Sequence, residues 1–189
     1  MNNHSGNKQL QIRVCCALLI ALEVILTKFL AIQTPALRIS FSFVPLALAG
    51  MMFGPVNGLI VGAVGDLLGV ILFPNGGFHP GFTLVAALTG MVYGLFLYQK
   101  PGTPSWSRKK FLLRVVLVVL LINVVFDMGL NTLWLTQLLN KGFIALLPAR
   151  AVKQIAMIVV QIIMIPIVKE TLARPLSNIV FGTRAKKTA

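Results

Sequence analysis

Two basic side chains stand close together in the segment LPARAVK, at the start of a long apolar stretch. Arg150 and Lys153 are three residues apart, so a helix places both on one face. An arginine offers a planar fork of donors that matches a carboxylate, and a lysine offers a compact positive charge. The pair predicts a site for an anionic ligand, unless both side chains only snorkel to a membrane surface.

A stripe of polar side chains precedes this pair. Asn123, Asp127, Asn131 and Trp134 are separated by four, four and three residues, so a helix lines them along one face. Polar groups in an apolar helix should face protein or a cavity rather than lipid. Asn131 and Trp134 could hydrogen-bond to and stack on a flat heteroaromatic ligand. Alternatively, the amide bonds to another helix and the indole anchors the helix at an interface.

The loop ILFPNGGFHPGF, residues 71–82, has an unusual composition. It lacks charge, its glycines allow backbone conformations barred to other residues, its prolines stiffen the flanks, and its phenylalanines offer apolar faces. These residues are Gly76, Gly77, Pro74, Pro80, Phe73, Phe78 and Phe82. Such a loop can close as a lid over an aromatic ligand, or it can lie as a re-entrant turn among lipid headgroups.

The composition identifies the setting of these residues. The chain is 57% hydrophobic and 11% charged, whereas about a quarter of the residues in a soluble domain are charged. This indicates an integral membrane protein. The 17 Lys and Arg against 4 Asp and Glu do not predict a nucleic-acid partner, because no soluble basic domain is present. Cys15 and Cys16 are adjacent, which suits neither a disulfide framework nor a metal site.

Six apolar segments are candidates for membrane helices. A helix needs ~20 residues to cross the hydrocarbon layer. The segments cover residues 12–32, 42–54, 56–73, 82–99, 111–138 and 143–172. The second and third are separated only by Gly54-Pro55, so a single kinked span is the alternative. Six spans place the basic residues of the N-terminal tail, of 100–114 and of the C-terminal end on one side, the cytoplasm.

We therefore predict an all-α, multi-pass cell-membrane protein with six transmembrane helices and both termini cytoplasmic. A tail at 1–11, a bundle at 12–172 and a basic tail at 173–189 make up the chain. The outer side then holds Arg38, Lys141, Arg150 and Lys153. Cations there run against the positive-inside bias, which indicates a local use for them.

Small residues mark two helices for close packing. Ala17 and Ala21 lie one turn apart in the first span, and glycines recur every three or four residues from Gly58 to Gly69 in the third. Asp66 stands beside these glycines, where a carboxylate is costly and marks either a functional site or a hydrogen bond between helices. Glu23 and Lys28 of the first span should face the bundle interior or an interface.

Catalytic signatures are missing from the sequence. It contains no GxxxxGK[ST], HExxH or GxSxG motif, and it has 2 histidines. We predict neither an enzyme nor a cofactor or metal site. Asp66 and Asp127 could relay protons, which keeps a stand-alone secondary transporter as an alternative, and a purely structural membrane subunit is another.

Several long segments, in order, resemble one family. They are LRISFSFVPLALAGMMFGPVNGLIVGAVGDLLG, LFPNGGFHPGFTLVAALTGMVYGLFLY, LNTLWL and LLPARAVKQIAMI, within residues 10–172. The chain resembles the folate-family substrate-binding subunits, or S components, of energy-coupling factor (ECF) vitamin transporters. The resemblance implies six membrane helices that capture a vitamin from outside and dock on a membrane coupling subunit with two ATPases.

The resemblance also implies where ligand and partner bind. The pocket is built from outer helix ends and the loops between them, at Arg38, Phe43, Phe73, Pro74, Gly77, Phe78, Phe82, Asn131, Trp134, Arg150 and Lys153. Docking uses Ala17 and Ala21. A folate or related pterin fits these residues, because its rings suit aromatic and amide groups and its glutamate tail suits cations. Pantothenate or a pyrimidine is the alternative substrate.

Overall fold

The computed structural model describes residues 3–33, 38–74, 79–100, 103–104, 106–140 and 142–181. These residues form helices and one short two-stranded ladder. The elements are α1 (Asn3–Lys28), β1 (Ile32–Gln33), β2 (Arg38–Ile39), α2 (Phe43–Phe53), α3 (Pro55–Leu72), α4 (Pro80–Leu97), α5 (Arg108–Leu121), α6 (Asn131–Leu139), α7 (Phe143–Val168) and α8 (Arg174–Phe181). A π-helix at Ile122–Leu130, here called the π-segment, joins α5 to α6, and a second at Lys169–Ala173 joins α7 to α8.

Within the described residues, five helical stretches are long and apolar enough to cross a membrane. They are Gln9–Lys28, Pro55–Leu72, Pro80–Leu97, Arg108–Leu139 and Phe143–Leu176. Helix α2 lies outside these stretches and has 11 residues, and at about 1.5 Å per residue it is shorter than the ~30 Å hydrocarbon layer. The predicted all-α membrane bundle is confirmed, and α2 crosses only part of the bilayer on its own.

Gly54 separates α2 from α3. Its backbone has φ 88° and ψ 179°, a conformation open to glycine and strained for residues with a Cβ. Pro55 follows as the first residue of α3, a position where the missing N–H costs nothing. The chain therefore turns back at Gly54, and the second and third apolar segments are two helices rather than one kinked span.

The backbones of α2, α3 and α4 touch where four glycines meet. A Cβ on Gly50 would lie 2.6 Å from the Gly94 nitrogen, and one on Gly58 would lie 2.8 Å from the Gly90 carbonyl carbon. This confirms the close-packing face of α3 at its N-terminal half. Further along the same face, Gly65 packs against the Glu23 carboxylate of α1.

Three connections lie together at one end of the bundle, here called the loop end. Lys28 Nζ donates to the Phe73 carbonyl at 2.9 Å, which ties the end of α1 to the end of α3. His79, just before α4, hydrogen-bonds Gln137 near the end of α6. The strands β1 and β2 pair antiparallel between α1 and α2, with Ile32 opposite Ile39, an element that the sequence pattern did not predict.

Basic residues gather at the opposite end, here called the basic end. Arg114 donates to the Phe96 carbonyl at 3.1 Å, and its guanidinium carbon lies 3.9 Å from the centre of the Trp106 ring. Lys169 Nζ lies 3.6 Å from the centre of the Phe111 ring. These cation–π contacts hold the charged groups against helix ends.

Candidate functional site

The polar stripe of the fifth span meets α7 in a hydrogen-bonded cluster. Gln154 Nε2 of α7 donates to Asn123 Oδ1 at 2.8 Å and to Asp127 Oδ2 at 2.9 Å. Asn131 Nδ2 donates to Asp127 Oδ1 at 2.7 Å. The prediction that Asn123, Asp127 and Asn131 share one face turned toward protein is confirmed.

The π-segment carries Asn123 and Asp127 and gives them an unusual backbone. The N–H of Asn131 donates to the carbonyl of Phe126, five residues earlier, as the wider π turn requires. Arg150 Nη2 reaches the Asp127 carbonyl at 3.0 Å. Arg150 is only 8% exposed, so its charge is held inside the bundle. Short π-helical stretches within α-helices are rare and are frequent at functional sites.

A second layer of hydrogen bonds lies beneath the cluster. Asn123 Nδ2 donates to Gln161 Oε1 at 2.9 Å, and the Tyr93 hydroxyl donates to the same oxygen at 3.4 Å. All three residues are buried. Because hydrocarbon offers no partners for polar groups, these bonds satisfy them internally and join α4, the π-segment and α7. These hydrogen bonds form a network next to Asp127 on the side toward the basic end.

Trp134 lies against the start of α4. Its ring stacks on His79, with centroids 5.0 Å apart and planes inclined by 24°. A Cβ on Gly81 would lie 2.5 Å from two carbons of the indole, so only glycine leaves room for the ring. Phe82 adds an edge contact to His79 at 5.9 Å. The stack consists of aromatic rings from α6 and from the α3–α4 connection.

The hydrogen bonds of His79 define its tautomer. The Gly81 N–H donates to His79 Nδ1 at 3.0 Å, so Nδ1 carries no proton in this arrangement. The proton is on Nε2, which donates to Gln137 Oε1 at 3.1 Å. His79 therefore caps α4 and links it to α6 with the same ring that stacks on Trp134.

Two buried polar atoms at this site lack a hydrogen-bond partner within the part of the chain that the structure describes. They are Asn131 Oδ1, an acceptor, and Trp134 Nε1, a donor. They belong to residues one turn apart on α6. An unpaired buried polar atom costs about 1 to 3 kcal/mol, so this acceptor and this donor are candidates for hydrogen bonds to a ligand.

Several predicted site residues are brought together here. Asn131 and Arg150 both contact Asp127, and Trp134 and Phe82 both contact His79. Lys153 is half-buried on α7, three residues after Arg150. The structure thus gathers a cation, an amide and aromatic rings at the loop end.

Other predicted site residues lie elsewhere. Phe73 meets Phe29 edge to face at 5.0 Å and lines a groove of about 460 Å³ between α1 and α3, together with Ala17 and Ala21. Phe43 is buried in the hydrophobic core, and Pro74 is exposed at the end of α3.

The structure describes three further predicted site residues only in part or not at all. The backbone of Arg38 pairs with Gln33, while its side chain lies outside the described part of the structure. Gly77 and Phe78 also lie outside the described residues.

Asp66 has a local partner. The Thr83 hydroxyl donates to Asp66 Oδ2 at 2.6 Å, which joins α3 to α4. This bond supports the interpretation of Asp66 as a hydrogen-bonding link between neighbouring helices.

Comparison with known proteins places this arrangement in a family. A family model described as the S component of an ECF-type riboflavin transporter matches residues 7–173. The chain belongs to this family of S components. It is therefore a multi-pass membrane protein and a transporter subunit, as the resemblance predicted.

Individual relatives of this S component are described as folate transporters. Folate transporter FolT of Clostridium novyi (strain NT) is 41% identical over 158 residues, which cover 84% of this chain and 87% of that protein. FolT of Leuconostoc mesenteroides is 29% identical over 154 residues, with 79% of each chain covered. A crystal structure of FolT bound with folic acid matches with a TM-score of 0.69 at 38% identity, covering 79% of this chain and 85% of that one.

Proposed function

We propose that this S component binds folate at the loop end and delivers it through an ECF coupling subunit with two ATPases. The observation that carries the proposal is the buried cation Arg150, which shares Asp127 with Asn131, together with Asn131 Oδ1 and Trp134 Nε1, two buried atoms without a hydrogen-bond partner among the described residues. One side of this arrangement suits a carboxylate, and the other suits a flat heterocycle with polar edges. Similarity to FolT proteins supports the same ligand.

The chemistry of the site favours folate over riboflavin, the vitamin after which the matching family is named. Both vitamins have a flat ring system that could stack against Trp134 and His79. Only folate has a glutamate tail with two carboxylates. Arg150 uses one N–H for the Asp127 carbonyl, and a guanidinium has five, so others remain for a carboxylate.

The other predicted residues complete the proposed pocket. Lys153, and Arg38 from β2, supply further positive charge for the glutamate tail. We expect the remaining predicted residues to line this pocket when folate is bound: Phe43, Phe73, Pro74, Gly77, Phe78 and Phe82. The basic end lies in the cytoplasm by the positive-inside rule, which turns the loop end and the pocket outward.

Calorimetry on the purified protein in detergent, without ATP, tests the proposal. Folate is expected to bind with a dissociation constant below about 1 μM, equivalent to more than ~8 kcal/mol. Riboflavin and pantothenate, measured under the same conditions, are expected to bind at least about tenfold more weakly, the equivalent of one ion pair. Tight riboflavin binding together with no folate binding at micromolar concentrations would contradict the proposal.

The groove between α1 and α3 supports a separate site for the coupling subunit. It is lined by Ala17 and Ala21 and by apolar side chains such as Ile20 and Val64. Small side chains let a partner helix approach closely in a membrane, where packing rather than the hydrophobic effect drives association. The groove lies between α1 and α3 and includes Phe73 of the proposed pocket, but none of the α6 and α7 residues that would hold folate lines it.

Ala17→Trp should separate capture from delivery. The indole would fill the groove and keep a partner helix away, so folate uptake by cells with the complete transporter should fall to background. Folate affinity of the purified subunit should stay within about twofold, since Ala17 is not one of the proposed pocket residues. Ala156→Trp, at an exposed position on α7, is the matched control and should retain uptake. Normal uptake by Ala17→Trp would exclude docking through this groove.

A further inference from the structure

The Asn131 amide is held in one orientation by Asp127. The carboxylate oxygens of Asp127 accept from two amide groups, Oδ1 from Asn131 Nδ2 at 2.7 Å and Oδ2 from Gln154 Nε2 at 2.9 Å. An ionised carboxylate can only accept hydrogen bonds. A 180° rotation of the Asn131 amide would place its oxygen against a carboxylate oxygen of Asp127, where the two acceptors would repel each other. The NH₂ group of Asn131 therefore faces Asp127, and its oxygen faces away.

Asp127 is itself fixed from several directions. Gln154, 4% exposed, also donates to Asn123 Oδ1 at 2.8 Å, so its own amide has a fixed orientation. Arg150 holds the main-chain carbonyl of Asp127 at 3.0 Å. The carboxylate is therefore a rigid reference point, and the orientation of the Asn131 amide follows from it.

The consequence is a fixed pattern of hydrogen-bonding groups. With one N–H of its amide bonded to Asp127, Asn131 turns Oδ1 away as an acceptor, and this buried oxygen has no hydrogen-bond partner among the residues that the structure describes. Trp134, one turn later, presents only a donor, the buried Nε1, which likewise has no partner within the described part of the chain. Their counterpart is a flat ring edge that carries an N–H donor beside a nitrogen or carbonyl acceptor.

We propose that Asp127, held by Gln154, is a positioning residue that orients Oδ1 of Asn131 as the acceptor for a ring N–H of the ligand. The proposal rests on the proposed function, because folate is the ligand used to test it. A pterin has amino and ring N–H donors next to ring-nitrogen and carbonyl acceptors, so it meets the pattern. Asp127 acts through Asn131 and does not itself touch the ligand.

A double-mutant cycle on the full-length protein tests this with folate calorimetry. Asp127→Asn keeps the size of the side chain, but an amide at 127 can either donate or accept and no longer fixes the Asn131 amide. In the presence of Asn131 the change should weaken folate binding about tenfold, the scale of one hydrogen bond. In an Asn131→Ala background it should change binding by less than about twofold. Glu170→Gln, the same change at an exposed position, should leave affinity unaltered.

A second readout does not depend on folate. In an NMR spectrum of the ligand-free protein, the Asn131 side-chain NH₂ signals are identified by their loss in Asn131→Ala. They should exchange slowly with water in the parent protein and at least about tenfold faster in Asp127→Asn, because the hydrogen bond that protects them is weakened. Gln154→Ala provides a second variant should Asp127→Asn fold poorly, and it should show the same dependence on Asn131.

The outcomes are distinguishable. Equal losses of affinity from Asp127→Asn with and without Asn131 would mean that Asp127 only supports the local structure, and would overturn the inference. Unchanged protection of the Asn131 NH₂ group in Asp127→Asn would overturn it as well. Absence of folate binding by the parent protein, with the NMR change present, would overturn the proposed function and leave the positioning role standing.

Discussion

Gly90→Ala is expected to lower the free energy of unfolding by about 2 to 3 kcal/mol, the upper part of the range for overpacked sites. The new Cβ would lie 2.6 Å from the carbonyl carbon of Gly58. This contact is with backbone, which cannot move aside as a flexible side chain can. Alanine stabilises a helix by about 1 kcal/mol relative to glycine. We expect the clash to cost more than this gain, so the substitution should be destabilising. Thermal unfolding in detergent measures the effect.

Gly142→Ala is the matched control. A Cβ at Gly142 would meet no heavy atom of the described residues within 4 Å, apart from its neighbours in the chain, and the φ of −60° and ψ of 142° suit alanine. Its unfolding free energy should stay within about 0.5 kcal/mol of the parent value. Equal stability of Gly90→Ala and Gly142→Ala would show that α3 and α4 do not pack through backbone contact.

Arg150→Ala is expected to weaken folate binding by about 1.5 to 3 kcal/mol, the range for a hydrogen bond to a charged group. The guanidinium is 8% exposed and is held at 3.0 Å from the Asp127 carbonyl. A carboxylate of the ligand would meet this charge in a setting shielded from water, where the interaction is strongest. Arg150→Lys keeps the positive charge but loses the planar fork of donors. Its folate affinity should lie between those of the parent protein and of Arg150→Ala.

Arg108→Ala at the exposed start of α5 is the control for removing a cation. It should leave folate affinity within about twofold, since long-range effects of exposed charges are screened by salt. Arg150→Ala also removes a hydrogen bond to the π-segment, so unfolding is measured in parallel. A folded Arg150→Ala protein with parent affinity would remove Arg150 from the site.

The polar stripe could be predicted because its spacing is a local property of the sequence. Residues four apart share a helical face, and Asn123, Asp127 and Asn131 do meet α7. The π-segment could not be predicted in this way. Its wider turn accompanies contacts from another helix, above all that of Arg150 with the Asp127 carbonyl.

Gln154 and Gln161 were missed although a signal existed. They follow Arg150 by four and eleven residues on one face of an apolar helix, the same kind of stripe that identified Asn131. His79 and Gly81 gave no such signal. Their roles depend on how α4 packs against α6, as the Gln137 bond and the Trp134 stack show. The sequence pattern also assigned Phe73 to the pocket, a prediction that stands untested, while the structure places it in the α1–α3 groove.

The π-segment sets the rotational phase of everything that follows it in the fifth span. Each residue of an α-helix advances the direction of its side chain by about 100°. Removing one residue from α5 would turn the indole and amide of α6 by about 100° relative to α7, whereas the i→i+5 turns of Ile122–Leu130 hold one residue more than α-helical turns and can lose it with less rotation. Changes of length in this span are therefore tolerated best in its middle, where an ordinary hydropathy profile shows nothing unusual.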